Sequence, residues 1–234
     1  MSPPAPTQTS TATTVIARAD RFRFARLLYN PLAWIDWFRW ASERIQRAHA
    51  EFNYRSIAPH VPDGARVLDV GAWDGRIGAL LRDRKACRPV LVDVVDKNRT
   101  DLPFRLFDGR TLPLADGERF DVVQLLYVLH HAADDLTLLR EARRALAPGG
   151  RVVVAEDMVE NAGQRAIAVG FHVWLLMFTF LGWKGSFRRI DAWRDRFAAA
   201  GLAVEEVVPL GPHMGKPLWP RNVVFRLRPI EPSA

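Results

Sequence analysis

The stretch Arg66-Val67-Leu68-Asp69-Val70-Gly71-Ala72-Trp73-Asp74-Gly75-Arg76 constrains this chain more than any other. A short β-branched run ends near a carboxylate. A turn punctuated by Gly71 and Gly75 follows, and an Ala- and Leu-rich segment of helical character starts at once. Strand, tight turn and helix in that order present backbone N–H groups and a helix N-terminus at the strand's carboxyl end, which suits a nucleotide-like ligand. The turn also discriminates. A dinucleotide fingerprint beginning at Gly71 needs glycine at positions 73 and 76, and those positions hold Trp73 and Arg76. A nicotinamide-dependent dehydrogenase is the weakest reading.

Beyond the turn, strands and helices alternate. Strands are expected at Arg66–Val70, Val90–Val94, Phe104–Phe107, Phe120–Leu126, Arg151–Ala155, Leu202–Val208 and Asn222–Arg228. Phe120–Leu126 is the kind of apolar run that parallel strands buried on both faces carry. Helices are expected at Gly75–Arg84, at Asp134–Ala147 up to the stop Pro148-Gly149-Gly150, and at Ile190–Ala200. The links from the second to the third strand and on to the fourth are too short for full helices. The segment Pro209–Arg221 leaves no room for a crossover helix, so the last two strands are expected to pair antiparallel at the sheet edge. The fold class is α/β, a doubly wound, mostly parallel seven-stranded sheet with an antiparallel last strand.

A chain of 234 residues with 49% hydrophobic and 25% charged residues can bury a real core. Its single cysteine, Cys87, excludes an internal disulfide and fits a reducing compartment, so the cytoplasm is the default location. The net charge of +7 fits an anionic neighbour, or equally a chain that uses arginine for solubility. Residues 1–17 lack the basic and apolar regions of a secretory signal and read as a disordered tail. Residues 18–60 read as an N-terminal helical cap. Within it, seven arginines lie between positions 18 and 47, and Pro31 starts a helix carrying Trp34, Trp37, Phe38, Trp40 and Ile45. A second helix is expected over Ala48–Ala58. Residues 61–234 form the main domain, interrupted by a nearly uncharged insertion at about 158–187. Its stretch from Ala166 to Trp183 has no formal charge. It reads as a lid helix lining an apolar pocket, with an interfacial helix beside Lys184, Arg188 and Arg189 as the next reading and a membrane span the last.

Several segments in order resemble the class I S-adenosylmethionine-dependent methyltransferases, in the small-molecule and lipid branch. They are Val67–Gly75, Val92-Asp93-Val94, Phe107–Pro113, Phe120–Val123 with Leu129-His130-His131, and Leu138–Gly150. The family often carries a third glycine between Gly71 and Gly75, and Trp73 is the departure. The resemblance implies a Rossmann-like domain that binds S-adenosylmethionine with Asp69, Gly71, Ala72, Trp73, Gly75, Asp93, Asp108 and Gly109. In that reading Asp69 faces the cofactor's ammonium group, Asp93 the ribose diol, and Asp108 with Gly109 the adenine. Each aspartate also has a plainer reading as a cap or turn residue.

Methyl transfer is an in-line displacement, and a base is needed only where the acceptor must lose a proton. His130 and His131, just past the fourth strand, are the candidate catalytic residues. A structural His pair capping the following turn is the competing reading. Tyr127, Asp157, His172 and His213 are further candidates. The tetrad Gln124-Leu125-Leu126-Tyr127 stands where amine methyltransferases of nucleic acids and proteins carry Asn/Asp-Pro-Pro-Tyr, which argues against base amines as acceptors. The tryptophans gathered in the cap and lid favour a hydrophobic or lipid-like small-molecule acceptor, with peripheral contact to an anionic membrane. The alternatives are an RNA methyltransferase and a non-catalytic binding protein; nucleic acid is the lesser partner. No metal site is expected.

Overall fold

The computed structural model describes residues 36–179, 186–212 and 220–231. The tail, most of the arginine-rich segment, Trp34, Trp183, Lys184 and His213 lie outside them, as do the side chains of Trp37, Phe38, Trp40 and His172.

Helix α1 spans Asp36–Ile57 and runs into a 3₁₀ turn at Ala58–His60. The two helices expected on either side of Arg47 are one continuous helix. No Pro or Gly interrupts the sequence there, and Pro59 falls where the α-helical part ends. The domain then follows as β1 (Arg66–Val70), α2 (Arg76–Lys85), β2 (Arg88–Asp93), β3 (Phe104–Leu106) and β4 (Phe120–Leu126). It continues with α3 (Asp135–Arg144), β5 (Leu146–Met158), α4 (Ala162–Thr179), α5 (Ile190–Ala199), β6 (Leu202–Pro212) and β7 (Arg221–Pro229).

The sheet order is β3-β2-β1-β4-β5-β7-β6. The first five strands pair in parallel, and β7 runs antiparallel between β5 and β6. Strand β5 is longer than the sequence suggests. It starts at Leu146, opposite Phe120, and passes through Pro148-Gly149-Gly150 by a register shift before Arg151 meets Val122. Helix α3 ends at Arg144, three residues short of the expected Ala147, and Pro148-Gly149-Gly150 is a bulge inside β5 rather than the helix stop the sequence suggests.

Strand alternation assigns each face its cover. Leu68, Val70, Val123, Leu125, Val152 and Val154 point to the side closed by Leu138, Leu139 and Ala142 of α3 and Trp193 and Phe197 of α5. Val67, Val122, Leu126, Val153, Ala155 and Val224 point to the other side, where Ile57 of α1, Val61 and Leu81 of α2 complete the layer. Ion pairs bind α1 to the domain. Glu51 meets Arg84, and Glu43 bridges Arg76 at the start of α2 and Arg99 in the loop after β2.

The order reverses between β1 and β4, since β2 and β3 lie on one side of β1 and β4 and β5 on the other. Ligands of open α/β sheets bind at such a switch point, outside the carboxyl ends of the strands. No helix among the described residues is long and apolar enough to cross a membrane.

Candidate active site

The turn after β1 is built for close approach. Gly71 has φ +76°, and a Cβ there would meet Val128 Cγ2 at 2.2 Å. Gly75 has φ +79° and caps α2, and its Cβ would lie 2.7–2.9 Å from Asn98, Leu91 and Thr100. The Gly71 N–H donates to the Val92 carbonyl of β2 at 2.7 Å. Ala72 is buried.

Trp73 occupies a left-handed position, φ +52°, where an L side chain costs roughly 1–2 kcal/mol. Two contacts offset that strain. Its N–H donates to Asp93 Oδ2 at 2.9 Å, and the Lys97 ammonium sits 3.5 Å from its ring centroid. The residue is 43% exposed. Asp74 is buried just before the cap of α2. It accepts the Arg76 N–H at 3.2 Å and the Arg76 Nε at 2.7 Å.

Asp93 ends β2 beside this turn and also accepts the Val95 N–H. Burial raises its pKa, against the pull of the backbone N–H groups of Trp73, Val95 and Val94 and of the Lys97 charge. Asp108 is exposed. Its Oδ1 accepts the N–H groups of Thr111 and Arg110, both at 2.8 Å, which lowers its pKa. Gly109 follows with φ +81°. Asp108 thus shapes its own loop and leaves Oδ2 outside those bonds.

Across the switch point lies a polar strip that the sequence did not announce. Asp69 on β1 is adjacent in register to Gln124 on β4. Both are buried, and Asp69 Oδ2 and both amide atoms of Gln124 lack hydrogen-bond partners among the described residues. Asn53 of α1, buried with an unpartnered Oδ1, belongs to the helix stripe His49–Asn53–Ile57. Ile57 packs with Val67 and Val122, and the His49 ring lies 6.1 Å from that of Tyr127. Asn53 therefore faces the sheet between them. Burial pushes the Asp69 carboxyl up to about 7, reinforced by the charges of Asp93 and Asp74. Such buried polar atoms cost free energy until something pairs with them.

The other end of the crevice is ordered by Glu156 on β5, a residue the sequence reading passed over. Glu156 is fully buried. Its Oε1 accepts the Leu129 N–H at 2.8 Å, and its Oε2 meets His130 Nδ1 at 2.6 Å. The His130 ring stacks on Phe187, centroids 5.1 Å apart, and lies 4.1 Å from the ring of exposed His131. Burial lowers the His130 pKa, but Glu156 overrides it and the net shift is upward. Phe187 in turn joins Val159, just after β5, and Ala168 of α4, so the start of the apolar insertion packs at this corner. Two adjacent carboxylates ending an apolar strand, Glu156-Asp157, were the one signal of it in the sequence.

The cradle at Gly71 and Gly75, the carboxylate of Asp93 at the second strand tip and the orphaned oxygens of Asp69, Gln124 and Asn53 fit an adenosyl group bearing a zwitterionic amino-acid tail. A family model described as a methyltransferase domain matches residues 32–207. The chain is 34% identical over 190 residues to a 3-amino-4-hydroxybenzoate 4-O-methyltransferase of Streptomyces cremeus, covering 74% of this chain and 50% of that protein. It is 31% identical over 170 residues to a ubiquinone biosynthesis O-methyltransferase of Cereibacter sphaeroides, covering 67% and 68%. It thus spans half the length of the first relative and about two thirds of the second. Among solved structures, a methyltransferase of calicheamicin biosynthesis in its SAH-bound form aligns with TM-score 0.57 at 21% identity, over 86% of this chain and 60% of that one. The fold, the cradle and these relatives agree: the chain belongs to the class I S-adenosylmethionine-dependent methyltransferases.

Proposed function

We propose that this protein methylates a hydroxyl oxygen of a hydrophobic small molecule, of the phenol or quinol type, with S-adenosylmethionine as donor. The observation that supports it most directly is the polar strip at the switch point. The orphaned oxygens of Asp69, Asn53 and Gln124 come from three elements, and an ammonium group offers three N–H donors. The O-methyltransferase relatives support transfer to oxygen. When bound, the cofactor supplies an electrophilic methyl on a sulfonium.

The chain's own residues then divide the work. Asp69, with Asn53 and the Gln124 carbonyl, receives the ammonium of the amino-acid tail. Asp93 receives the ribose diol, since two parallel O–H···O⁻ bonds are charge-assisted and suit vicinal hydroxyls. Asp108 and Gly109 border the adenine. Trp73 contributes its backbone N–H, which holds Asp93 in place. His130 changes role. With Nδ1 engaged by Glu156, it fastens the loop after β4, so it is a positioning residue rather than a base. His131, exposed beside it, borders the entrance. Helices α1 and α4 cap the crevice from its two sides, and the apolar character of α4 supports a hydrophobic acceptor.

Calorimetric titration with S-adenosylmethionine and S-adenosylhomocysteine tests the cofactor assignment, and labelled-methyl transfer to a series of phenols and quinols tests the acceptor class. Binding of both cofactor forms with transfer to hydroxyl oxygen is expected. Absence of cofactor binding overturns the site; transfer to amines or nucleic acid alone overturns the acceptor class.

A further inference from the structure

We propose that Asp157 is the catalytic base of this site, taking the proton from the acceptor's hydroxyl. The inference rests on the hydroxyl-methylating reading above and names a residue that neither the family match nor the His pair points to.

Asp157 is the next-to-last residue of β5, on the same sheet face as Val153 and Ala155 and hence as Asp69 and Gln124. Register runs from Asp69 through Gln124 to Val153, so Asp157 lies two strands over from Asp69 and four residues further toward the carboxyl ends, on the side of the switch point away from β2 where an acceptor would face a methyl donor held over β1 and β2. Helix α4 begins four residues after β5 ends, at Ala162. Its cross-strand partner on β7 is Asn222, wholly buried, whose amide donates to Asp157 Oδ1 at 2.5 Å. That bond fixes the carboxyl plane. Oδ2 accepts no hydrogen bond among the described residues, yet it is not sealed in, for Asp157 retains 8% of its surface. A carboxylate clamped by one oxygen and open at the other is what a general base needs.

Its surroundings keep it basic enough. Burial lifts its pKa to about 7, helped by the neighbouring Glu156 charge and opposed by His130 and the Asn222 amide. The other titratable group facing it is Tyr127 at the tip of β4, whose own pKa burial and the charges of Asp157 and Glu156 raise further. Tyr127 therefore stays protonated and does not compete as a base. In the reaction the hydroxyl proton passes to Asp157 Oδ2 while the oxygen forms its bond to the methyl carbon. The carbon–sulfur bond breaks with its electron pair left on sulfur, giving the ether and a neutral thioether. The proton leaves Asp157 to water once the product departs.

The test uses the full chain, with 3-amino-4-hydroxybenzoate and a panel of catechols and quinols as acceptors between pH 5.5 and 9. Cofactor affinity is measured in parallel by calorimetry with S-adenosylhomocysteine. Asp157→Asn keeps the side-chain shape and should bind the cofactor as tightly as the parent. It should lose about 100-fold or more in kcat, the usual worth of a positioned base, while KM moves little. The parent's rate should rise through a limb near pH 7 that the variant lacks, and Asp157→Glu should restore part of it. Asn222→Ala leaves the carboxyl in place without its clamp and should move that limb to higher pH. Retained kcat with an unchanged limb in Asp157→Asn overturns the proposal. So does the absence of transfer to every hydroxyl acceptor from a chain that binds cofactor, because a base here serves hydroxyls alone. A chain that binds no cofactor instead overturns the functional reading itself.

Discussion

Gly71 carries two separate demands, and they make the sharpest prediction at the scale of single residues. Its φ lies in the left-handed region, and its missing Cβ leaves room for Val128. Gly71→Ala should cost more than the roughly 1–2 kcal/mol of left-handed strain alone, because Val128 must also move by more than an ångström. Thermal unfolding should show a clear fall in Tm, together with lost affinity for S-adenosylhomocysteine. Asp93→Ala separates the two effects. Asp93 is partly buried at a strand tip and accepts backbone N–H groups rather than packing in the core. The variant should fold but bind the cofactor about 10- to 150-fold more weakly, a loss of roughly 1.5–3 kcal/mol in charged hydrogen bonds. Unchanged calorimetric affinity in the folded variant would remove Asp93 from the site. These residues were legible because the turn after β1 fixes their spacing. Gln124, Asn53 and Glu156 were not. Each stands alone among apolar or helical neighbours: Gln124 meets Asp69 only once β1 and β4 pair under α1, and Glu156 meets the loop after β4 only once β5 pairs with β4. Glu156 could have been suspected from its place at the end of an apolar strand next to a second carboxylate.

Elements built from strong periodic patterns were read nearly to their ends, as β1 and β4 show, and failures came where tertiary contact overrides local punctuation. Pro148-Gly149-Gly150 reads as a full stop, yet the sheet uses it as a bulge inside β5. Arg47 looked like a boundary between two helices, yet the stripe His49–Asn53–Ile57 continues the packing face of α1 onto the sheet. The coupling of the β4 loop to β5 belongs to this scale too. Glu156 holds the Leu129 N–H and the His130 ring from the neighbouring strand. Glu156→Ala would leave the buried Leu129 N–H and the buried His130 ring without their acceptor, so a destabilisation of about 1–3 kcal/mol is expected in denaturant unfolding. Glu156→Gln, which can still accept the backbone bond, should recover part of it. A loss below about 1 kcal/mol in the alanine variant would mean that the pair does not hold the loop.

For the molecule as a whole, the site works against the stability of the empty protein, and pH exposes the conflict. Asp69 and Asp157 have folded pKa values near 7 against an ordinary 3.8. The folded state therefore binds more protons than the unfolded chain between those values, and stability must fall as pH rises through that window. His130 acts in the same direction. Its raised folded pKa gives stability that is complete below the ordinary 6.5 and is lost as pH climbs through the folded value. At the acid end the sign reverses. Glu118, held by Arg105 down to about 2, contributes stability that is lost only as pH falls through that value. The empty protein should accordingly melt highest on the acid side of neutrality and lose Tm steadily toward pH 8. An ammonium placed beside Asp69 favours the ionised carboxylate, so stabilisation by saturating S-adenosylhomocysteine should grow over the same interval. Asp69→Asn removes the buried acid. Its melting curve without ligand should flatten between pH 5 and 8 and lie above the parent's at pH 8, while the cofactor-induced shift shrinks. Differential scanning fluorimetry at fixed ligand concentration measures all of these together. A cofactor-induced shift that does not change with pH in the parent chain would place the ammonium elsewhere than beside Asp69.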